Sequence, residues 1–334
     1  MRTLEFSATH TMRRGADVSM SAHTPDAAVR EARVMWCSYF DSSVADLQEI
    51  GAHHEWLSTG ITPSDHEFVL STGQRVEFIS LEAFRAGGRD PRMPETAGRI
   101  TGESAVRQRL AEIAAGLRSR IVGEGFVLRQ VDSACQRLPA RHSCKPVVED
   151  SVTLARRLHQ ELGFAAALDY PAAALTALAE RSEPAGRTLL VVGGGMLGRA
   201  VAEQAGTAGY AQALMVTRTP SRARKRLERA TCPVSLSGVD GARERLGTGA
   251  WDAVIATSAV EGGYRARIKT LSDAPDCVGA VDLSGVPLRS QFTDRYQHMY
   301  GPRFTALVHS QNRYVARRAD LVRRRIAESV GEQR

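Results

Sequence analysis

Two short stretches of the chain contain residue types that carry out chemistry in many proteins. The first reads Ser71-Thr72-Gly73-Gln74-Arg75-Val76-Glu77 and lies between two runs rich in Val, Ile, Leu and Phe. Those runs predict a strand, a loop and a strand, and loops held in this way often carry binding and catalytic side chains. Arg75 can pair with a carboxylate through two parallel hydrogen bonds, whereas Gly73 has no side chain that could act as a nucleophile.

The second stretch is a glycine-rich run, Gly193-x-Gly195-x-x-Gly198, between the apolar segment Thr188 to Val192 and a helical pattern. Its first glycine permits a tight turn, its second lets the backbone approach a pyrophosphate, and its third lets helix and strand pack closely. The N-terminus of the following helix offers free N–H groups to phosphates. This context predicts a dinucleotide-binding site. Its residues are Gly193, Gly194, Gly195, Met196, Leu197 and Gly198.

The end of the next predicted strand distinguishes between the two nicotinamide cofactors. Residues 211–216 are followed by Thr217-Arg218-Thr219-Pro220-Ser221-Arg222. Sites for NAD usually place Asp or Glu here on the ribose 2′-OH, whereas an arginine with hydroxyl neighbours suits a 2′-phosphate. We therefore expect NADPH as the cofactor. The expected contacts at this strand end and at the end of a later strand are Thr217, Arg218, Thr219, Ser221, Arg222, Thr257 and Ser258.

The elements that must position these residues predict an α/β fold with two domains. Alternating strands and helices from 187 to 310 predict a Rossmann NADP-binding domain, whose last strand is expected at Phe304 to His309. Residues 1–132 predict an N-terminal α/β domain that carries the first loop. A helical connector, 133–186, joins the two domains, and a short basic helix is expected at 311–334.

Within the N-terminal domain, the pattern predicts a strand at Leu4 to Ala8 and helices at Ala27 to Phe40 and Val106 to Val122. Five cysteines are scattered along the chain without a disulfide pattern or a CxxC pair, so we expect no metal site. Cys37 lies on the first predicted helix, where a buried structural thiol is the expected role.

Charge and hydropathy limit the classes of partner. The chain has 334 residues and a net charge of +7, which fits either an RNA partner or a solvated, Arg-rich surface. No apolar run reaches the ~18 residues of a membrane span, and the first residues lack the apolar core of a secretory signal. We therefore expect a cytoplasmic protein with neither a membrane nor DNA as its partner.

The first loop resembles the S-T-C-N-R-x-E motif of the glutamyl-tRNA reductase family. The segment Ala115 to Val131, AGLRSRIVGEGFVLRQV, is similar to that family's S-G-L-D-S-x-x-x-G-E-P-Q-I-x-x-Q-V, and the glycine loop and TRT are similar to its NADPH half. The resemblance covers nearly the whole chain in order. It implies an N-terminal catalytic-like domain and a Rossmann domain, which in the family are followed by a long helix and a dimerisation domain. Here we expect only a truncated C-terminal helix without that dimerisation domain, which leaves the oligomeric state open.

The resemblance also implies a substrate pocket and shows where the chain departs from the family. The implied substrate-binding residues are Thr72, Gly73, Gln74, Arg75, Glu77, Ser119, Glu124 and Gln130. In the family, the loop cysteine attacks an aminoacyl ester and forms a thioester, which hydride from NADPH then reduces to an aldehyde. Gly73 stands at the cysteine position and Arg109 at the position of a family histidine. We therefore expect catalysis by Arg75, Arg109 and Glu124 without a thioester.

Three functions follow from this pattern. The first is an NADPH-dependent oxidoreductase that reduces an amino-acid-derived aldehyde, imine or activated alkene in specialised metabolism. The second is a non-catalytic protein that binds tRNA or a partner protein and holds NADPH as a structural ligand. The third is a true glutamyl-tRNA reductase of tetrapyrrole biosynthesis with a displaced nucleophile. The intact glycine loop and Arg218 favour the first.

Overall fold

The computed structural model describes residues 35–41, 49–50, 64–72, 75–81, 93–224, 227, 229–257, 262–289 and 293–332. These residues all belong to one compact unit, Arg33–Arg334. The predicted strand at Leu4 to Ala8, the loop residues Gly73 and Gln74, Ser258 and the side chain of Arg222 lie outside the described part of the chain.

The first sheet has four antiparallel strands: β1 (Trp36–Asp41), β2 (Glu67–Thr72), β3 (Arg75–Ser80) and β4 (Gly98–Thr101), in the order β2-β3-β1-β4. Strands β2 and β3 form an antiparallel pair in which Thr72 lies opposite Arg75 and Glu67 lies opposite Ser80. This pairing confirms the strand–loop–strand prediction. The predicted helix at Ala27 to Phe40 is wrong over its last residues, because Trp36–Asp41 pairs with β3 on one side and β4 on the other. Pairing on both sides overrides a weak local pattern.

Three helices share a hydrophobic core with this sheet: α1 (Glu103–Ala114), α2 (Phe126–Gln136) and α3 (Lys145–Glu161). Helix α1 ends eight residues before the predicted Val122 because Gly116 takes a φ of 75°. The amide of Gly116 bonds the carbonyl of Ile113, and that of Leu117 bonds the carbonyl of Glu112. This left-handed glycine closes the helix. The chain then turns sharply through residues 116–124.

The second sheet has six parallel strands in the order β10-β9-β8-β5-β6-β7. The strands are β5 (Thr188–Val192), β6 (Gln212–Val216), β7 (Val234–Ser237), β8 (Trp251–Ile255), β9 (Cys277–Asp282) and β10 (Tyr296–His298). The helices between them are α4 (Tyr170–Ala179), α5 (Met196–Gln204), α6 (Pro220–Arg224), α7 (Ala242–Leu246) and α8 (Gly262–Asp273), with α4 preceding β5. The strand order reverses between β5 and β8, which is where doubly wound sheets bind ligands. The predicted α/β class, with a doubly wound parallel sheet, is confirmed.

A long helix, α9 (Pro302–Gly331), packs against the cores of both parts. The strand predicted at Phe304 to His309 is wrong, because those residues form the first turns of α9, and a six-residue apolar run does not distinguish strand from helix. Phe304 and Val308 pack in the core beside the second sheet, whereas Val315 and the later apolar residues pack in the core beside the first. Within the described residues, no helix is both long and apolar enough to span a bilayer.

Candidate active-site cleft

A cavity of about 200 Å³ lies where the β2–β3 hairpin and α2 meet the carboxyl ends of β5, β8 and β9. Five of the predicted substrate residues line it: Thr72, Arg75, Ser119, Glu124 and Gln130. Four of the predicted cofactor residues line the same cavity: Gly195, Met196, Leu197 and Thr257. The fold thus brings two sets of residues, predicted from distant motifs, to one cleft.

Arg75 is the cationic group of this cleft among the described lining residues. Its side chain is 2% exposed, and its Nη2 donates a short hydrogen bond to the carbonyl of Arg118. Its Nε and Nη1 atoms are buried without a hydrogen-bond partner in the described structure. Burial lowers the pKa of Arg75, which the nearby carboxylates of Glu77 and Asp41 oppose. Unmet buried donors on a guanidinium are costly, and a ligand carboxylate would satisfy them.

Glu124 lies at the start of α2 and holds the first turn of that helix. Its Oε2 accepts from the amide of Phe126 at 2.5 Å, and its Oε1 accepts from the amide of Val127 at 3.2 Å and from the Ser119 hydroxyl at 3.1 Å. Burial raises the pKa of Glu124, and these hydrogen bonds and the charge of Arg75 offset part of the rise. The carboxylate therefore caps a helix and supplies negative charge beside the cleft.

Arg109 and Glu77 do not line the cleft. They form a buried ion network in which the Arg109 guanidinium bonds Glu77 through Nε at 2.7 Å and Nη2 at 2.8 Å, and bonds Asp41 at 2.8 Å. The same guanidinium lies over the ring of Tyr39, 3.6 Å from its centroid. Burial alone would lower the pKa of Arg109, but the bonds and charge of Glu77 raise it above the ordinary value. The geometry gives both residues a role in the interior of the N-terminal sheet.

Cys37 belongs to the same interior and offers no nucleophile to the cleft. Its thiol is buried on β1, 3.4 Å from Oε2 of Glu77. Burial and the charge of Glu77 raise its pKa well above the ordinary value, so the reactive thiolate is disfavoured. Cys135 and Cys144 are also buried free thiols with pKa values raised to about 11 by burial.

The glycine loop forms a close turn between β5 and α5. Gly193 takes a φ of 118°, and its amide donates to the carbonyl of Val216 at 2.8 Å. A Cβ on Gly198 would lie 1.9 Å from the carbonyl oxygen of Gly193, so only glycine lets the helix approach the turn. A Cβ on Gly195 would meet nothing within 4 Å, which leaves open space at the N-terminus of α5. Residues of this kind fit a dinucleotide pyrophosphate.

The predicted 2′-phosphate contacts lie at the carboxyl end of β6. Arg218 and Thr219 are exposed there, and Ser221 is exposed on the first turn of α6. The hydroxyl of Thr217 accepts from the amide of Thr219 at 3.4 Å, and Thr217 lies against Gly194 of the glycine loop. The strand end therefore presents a cation and hydroxyl groups beside the turn that would hold the pyrophosphate.

The cleft also contains apolar residues that the sequence did not single out as a set. These residues are Phe126, Val127, Tyr170, Leu283 and Met299. They come from α2, from the start of α4 and from the segments after β9 and β10, so no single sequence window contains them. Asp282, at the end of β9, instead anchors its own loop by accepting from the amides of Ser284 and Leu288, both at 2.8 Å.

The doubly wound sheet, the glycine loop and a second α/β part that closes on its carboxyl edge are typical of two-part proteins with a dinucleotide-binding type of fold. Comparison with known proteins agrees with this class. The chain is 31% identical over 195 residues to the glutamyl-tRNA reductase of Halobacterium salinarum, a match that covers 55% of this chain and 45% of that protein. It is 29% identical over 248 residues to protein nfe2 of Rhizobium meliloti, covering 70% of this chain and 77% of that protein. These matches confirm the resemblance to the glutamyl-tRNA reductase family, from which the chain has diverged.

The match therefore spans under half the length of the Halobacterium reductase. No family model matches the chain. Among solved structures, the glutamyl-tRNA reductase from Methanopyrus kandleri is 20% identical, covers 90% of this chain and 80% of that chain, and has a TM-score of 0.45.

Proposed function

We propose that the protein is an NADPH-dependent oxidoreductase that reduces an amino-acid-derived aldehyde, imine or activated alkene, in specialised metabolism, without a thioester intermediate. The observation that carries this proposal is the shared cleft. Arg75, with two unmet buried donors, lines the same cavity of about 200 Å³ as Gly195 at the N-terminus of α5. A substrate held by Arg75 would thus lie next to a cofactor held by the glycine loop.

The residues of the second sheet fit NADPH. Gly193, Gly195 and the N-terminal amides of α5 would hold its pyrophosphate, and Arg218 with Thr217 would hold its 2′-phosphate. NADPH, when bound, supplies a hydride to an electron-poor carbon. Arg75 would bind the substrate carboxylate and orient that carbon, and its positive charge would favour negative charge that develops nearby. The cleft walls would exclude water from the reacting centre.

A thioester step has no support from the cysteines of the chain. Position 73 is glycine in the sequence. Cys37, Cys135, Cys144 and Cys277 are buried, and none of the five cysteines is among the residues that line the cleft. An aldehyde, imine or activated alkene accepts hydride directly, so such a substrate removes the need for a covalent intermediate.

The direct test combines cofactor binding with turnover. We expect NADPH to bind in calorimetry, and NADPH absorbance to fall when a panel of amino-acid-derived aldehydes and imines is added. Arg75→Ala should lower turnover by about 100-fold or more while NADPH still binds, because the anchor lies on the substrate side of the cleft. Absence of NADPH binding by the folded protein would overturn the proposal. Alkylation with iodoacetamide near neutral pH should leave turnover intact, as no thiol takes part.

A second candidate function, binding of RNA such as tRNA, is favoured by one face of α9. This helix carries seven arginines against two acidic residues. Tyr314 is 74% exposed, and the exposed Arg313, Arg317 and Arg324 follow the adjacent stripe at helical spacing. An exposed aromatic ring beside cations is suited to a stacked base and to phosphates.

The RNA candidate predicts salt-dependent affinity. In filter binding with total tRNA, a charge-reversal variant of Arg313, Arg317 and Arg324 should weaken binding and reduce the salt slope, by about 0.7 for each single-strand phosphate contact that is lost. Reversal of Arg243, which pairs with Asp276 on another surface, is the matched control. Affinity that does not change with salt or with the triple variant would remove this candidate. Growth of a heme auxotroph complemented by the gene would instead support true glutamyl-tRNA reductase activity.

A further inference from the structure

We infer that the cleft selects a substrate with one carboxylate and an apolar side chain, and that Phe126 is the specificity-determining residue. This inference rests on the proposed function, because it concerns the substrate half of the same cleft. It goes further by defining the chemistry of the substrate on the side away from Arg75.

The charges of the cleft allow one carboxylate and disfavour a second. Arg75 is the single cationic side chain among the described residues that line the cavity. The nearby Arg118 directs its guanidinium to Glu112, at 2.7 Å, and is not a lining residue. Among the described lining residues, the one carboxyl group is that of Glu124. The polar lining side chains, such as Gln130 and Thr257, are uncharged. A second substrate carboxylate would therefore find no second cation to pair with, and the Glu124 carboxylate and the apolar wall would both disfavour it.

The wall beside Arg75 is apolar and formed by several elements. Phe126 and Val127 come from the first turn of α2, Tyr170 from the first turn of α4, and Leu283 and Met299 from segments that follow β9 and β10. All five are buried residues that line the cavity. A substrate side chain between them gains free energy by leaving water in proportion to its apolar area.

Phe126 is held in a fixed position in this wall. Its amide is tied to Glu124 at 2.5 Å, and the guanidinium of Arg129 lies 4.5 Å from its ring centroid. Its side chain is 8% exposed and packs in a core cluster with Ile121 and Tyr170. A ring that is restrained at the backbone and on one face cannot easily turn away, so it sets the shape of the substrate pocket.

The chemistry of the pocket therefore describes an amino-acid-derived acid with an aliphatic or aromatic side chain. The carboxylate pairs with Arg75, the apolar side chain lies against Phe126, and the reducible carbon faces the cofactor half of the cleft. Such a pocket distinguishes poorly between two apolar side chains, because one methylene changes affinity by only about 10- to 200-fold. It excludes a charged side chain more strongly, because burial of an unpaired charge is costly.

The test measures binding of three acids to the full-length protein saturated with NADP⁺. The probes are 4-methylpentanoate, 3-phenylpropionate and glutarate. Their binding is measured by ligand-observed NMR and calorimetry. We expect both monocarboxylates to bind at least tenfold more tightly than glutarate. Arg75→Ala should lose binding of all three. Phe126→Gln should lose at least tenfold for the two apolar acids, whereas Leu162→Gln, a similar change at a half-buried position of the N-terminal core, should leave the order of affinities as it is.

The outcomes separate the two levels of the proposal. Failure of NADP⁺ to bind would overturn the oxidoreductase function itself. If NADP⁺ binds but glutarate binds as tightly as the monocarboxylates, or no acid binds, the inference about the substrate is wrong while the cofactor site stands. If Phe126→Gln does not fold, as judged by circular dichroism, Phe126→Leu replaces it. That variant should keep its affinity for 4-methylpentanoate and lose about tenfold in affinity for 3-phenylpropionate. Equal affinities for both acids would show that another residue determines the specificity.

Discussion

Arg109 and Glu77 form a two-point ion pair inside the N-terminal sheet, with 2.7 Å between Nε and Oε2 and 2.8 Å between Nη2 and Oε1. The two residues lie 32 positions apart in the sequence, on α1 and β3. The pair ties the helix to the strand that begins with Arg75. Its role is therefore to hold the strand that carries Arg75, the proposed substrate anchor.

Removing Arg109 should destabilise the protein strongly. Arg109→Ala leaves the buried Glu77 carboxylate without its main cationic partner, which costs about 3–5 kcal/mol in the free energy of unfolding. Urea denaturation measures this loss. Arg107→Ala is the matched control on the same helix, since its partners Glu103 and Asp150 are largely exposed and the pair is worth under about 1 kcal/mol. Equal losses in the two variants would contradict the role assigned to Arg109.

Arg218 should set the preference for NADPH over NADH. Its exposed position at the end of β6 suits a 2′-phosphate, and a hydrogen bond to a charged group is worth about 1.5–3 kcal/mol. Arg218→Ala should therefore weaken NADPH binding by about 10- to 100-fold and change NADH binding little, as measured by calorimetry. Arg303→Ala, a change at an exposed arginine on α9, is the control. A parallel loss for both cofactors would point to a structural effect.

Gly198 should be intolerant of any side chain. A Cβ there would lie 1.9 Å from the Gly193 carbonyl oxygen, so Gly198→Ala must push α5 away from the turn. We expect loss of dinucleotide binding and a lower thermal midpoint, because overpacking of this kind costs about 1–3 kcal/mol or more. Gly249→Ala is the matched control, as its Cβ would meet nothing within 4 Å. Unchanged cofactor affinity in Gly198→Ala would exclude this loop as the pyrophosphate site.

Glu124 should make stability depend on pH. Burial raises its pKa in the folded state, so the folded protein holds the proton more tightly than the unfolded chain does. This contribution is complete below the ordinary glutamate pKa of about 4.3 and is lost as the pH rises through the folded-state pKa. The glutamine side chain of Glu124→Gln does not titrate. The urea midpoint of this variant should therefore fall less than that of the parent protein between about pH 4 and about pH 7.

The control for this pH effect is Glu244→Gln, at an exposed position on α7. It should keep the pH dependence of the parent protein. A parent stability that does not fall over this range, or a Glu124→Gln variant that falls as steeply, would show that this carboxyl group is not the source.

Local features of the sequence were enough to predict the glycine loop with its flanking strand and helix, and the hairpin of the first sheet. The glycine loop could be predicted because its backbone conformation requires glycine at positions within the loop itself. The φ of 118° at Gly193 is an example. The β2–β3 hairpin follows from two short apolar runs around a turn. Where a six-residue apolar run had no local marker, as at Phe304 to His309, helix and strand could not be told apart.

The sequence by itself determined the family resemblance, the α/β class and the turn that would hold a dinucleotide, because these depend on residue types in short local segments. Only the tertiary structure decided that Arg75 lines the cleft and has two unmet buried donors, while Arg109 and Glu77 pair in the interior. It also decided that Phe126 forms a wall with Tyr170, 44 residues away in the sequence. Burial and charge pairing depend on which distant segments meet, and long-range packing settles that only when the chain folds.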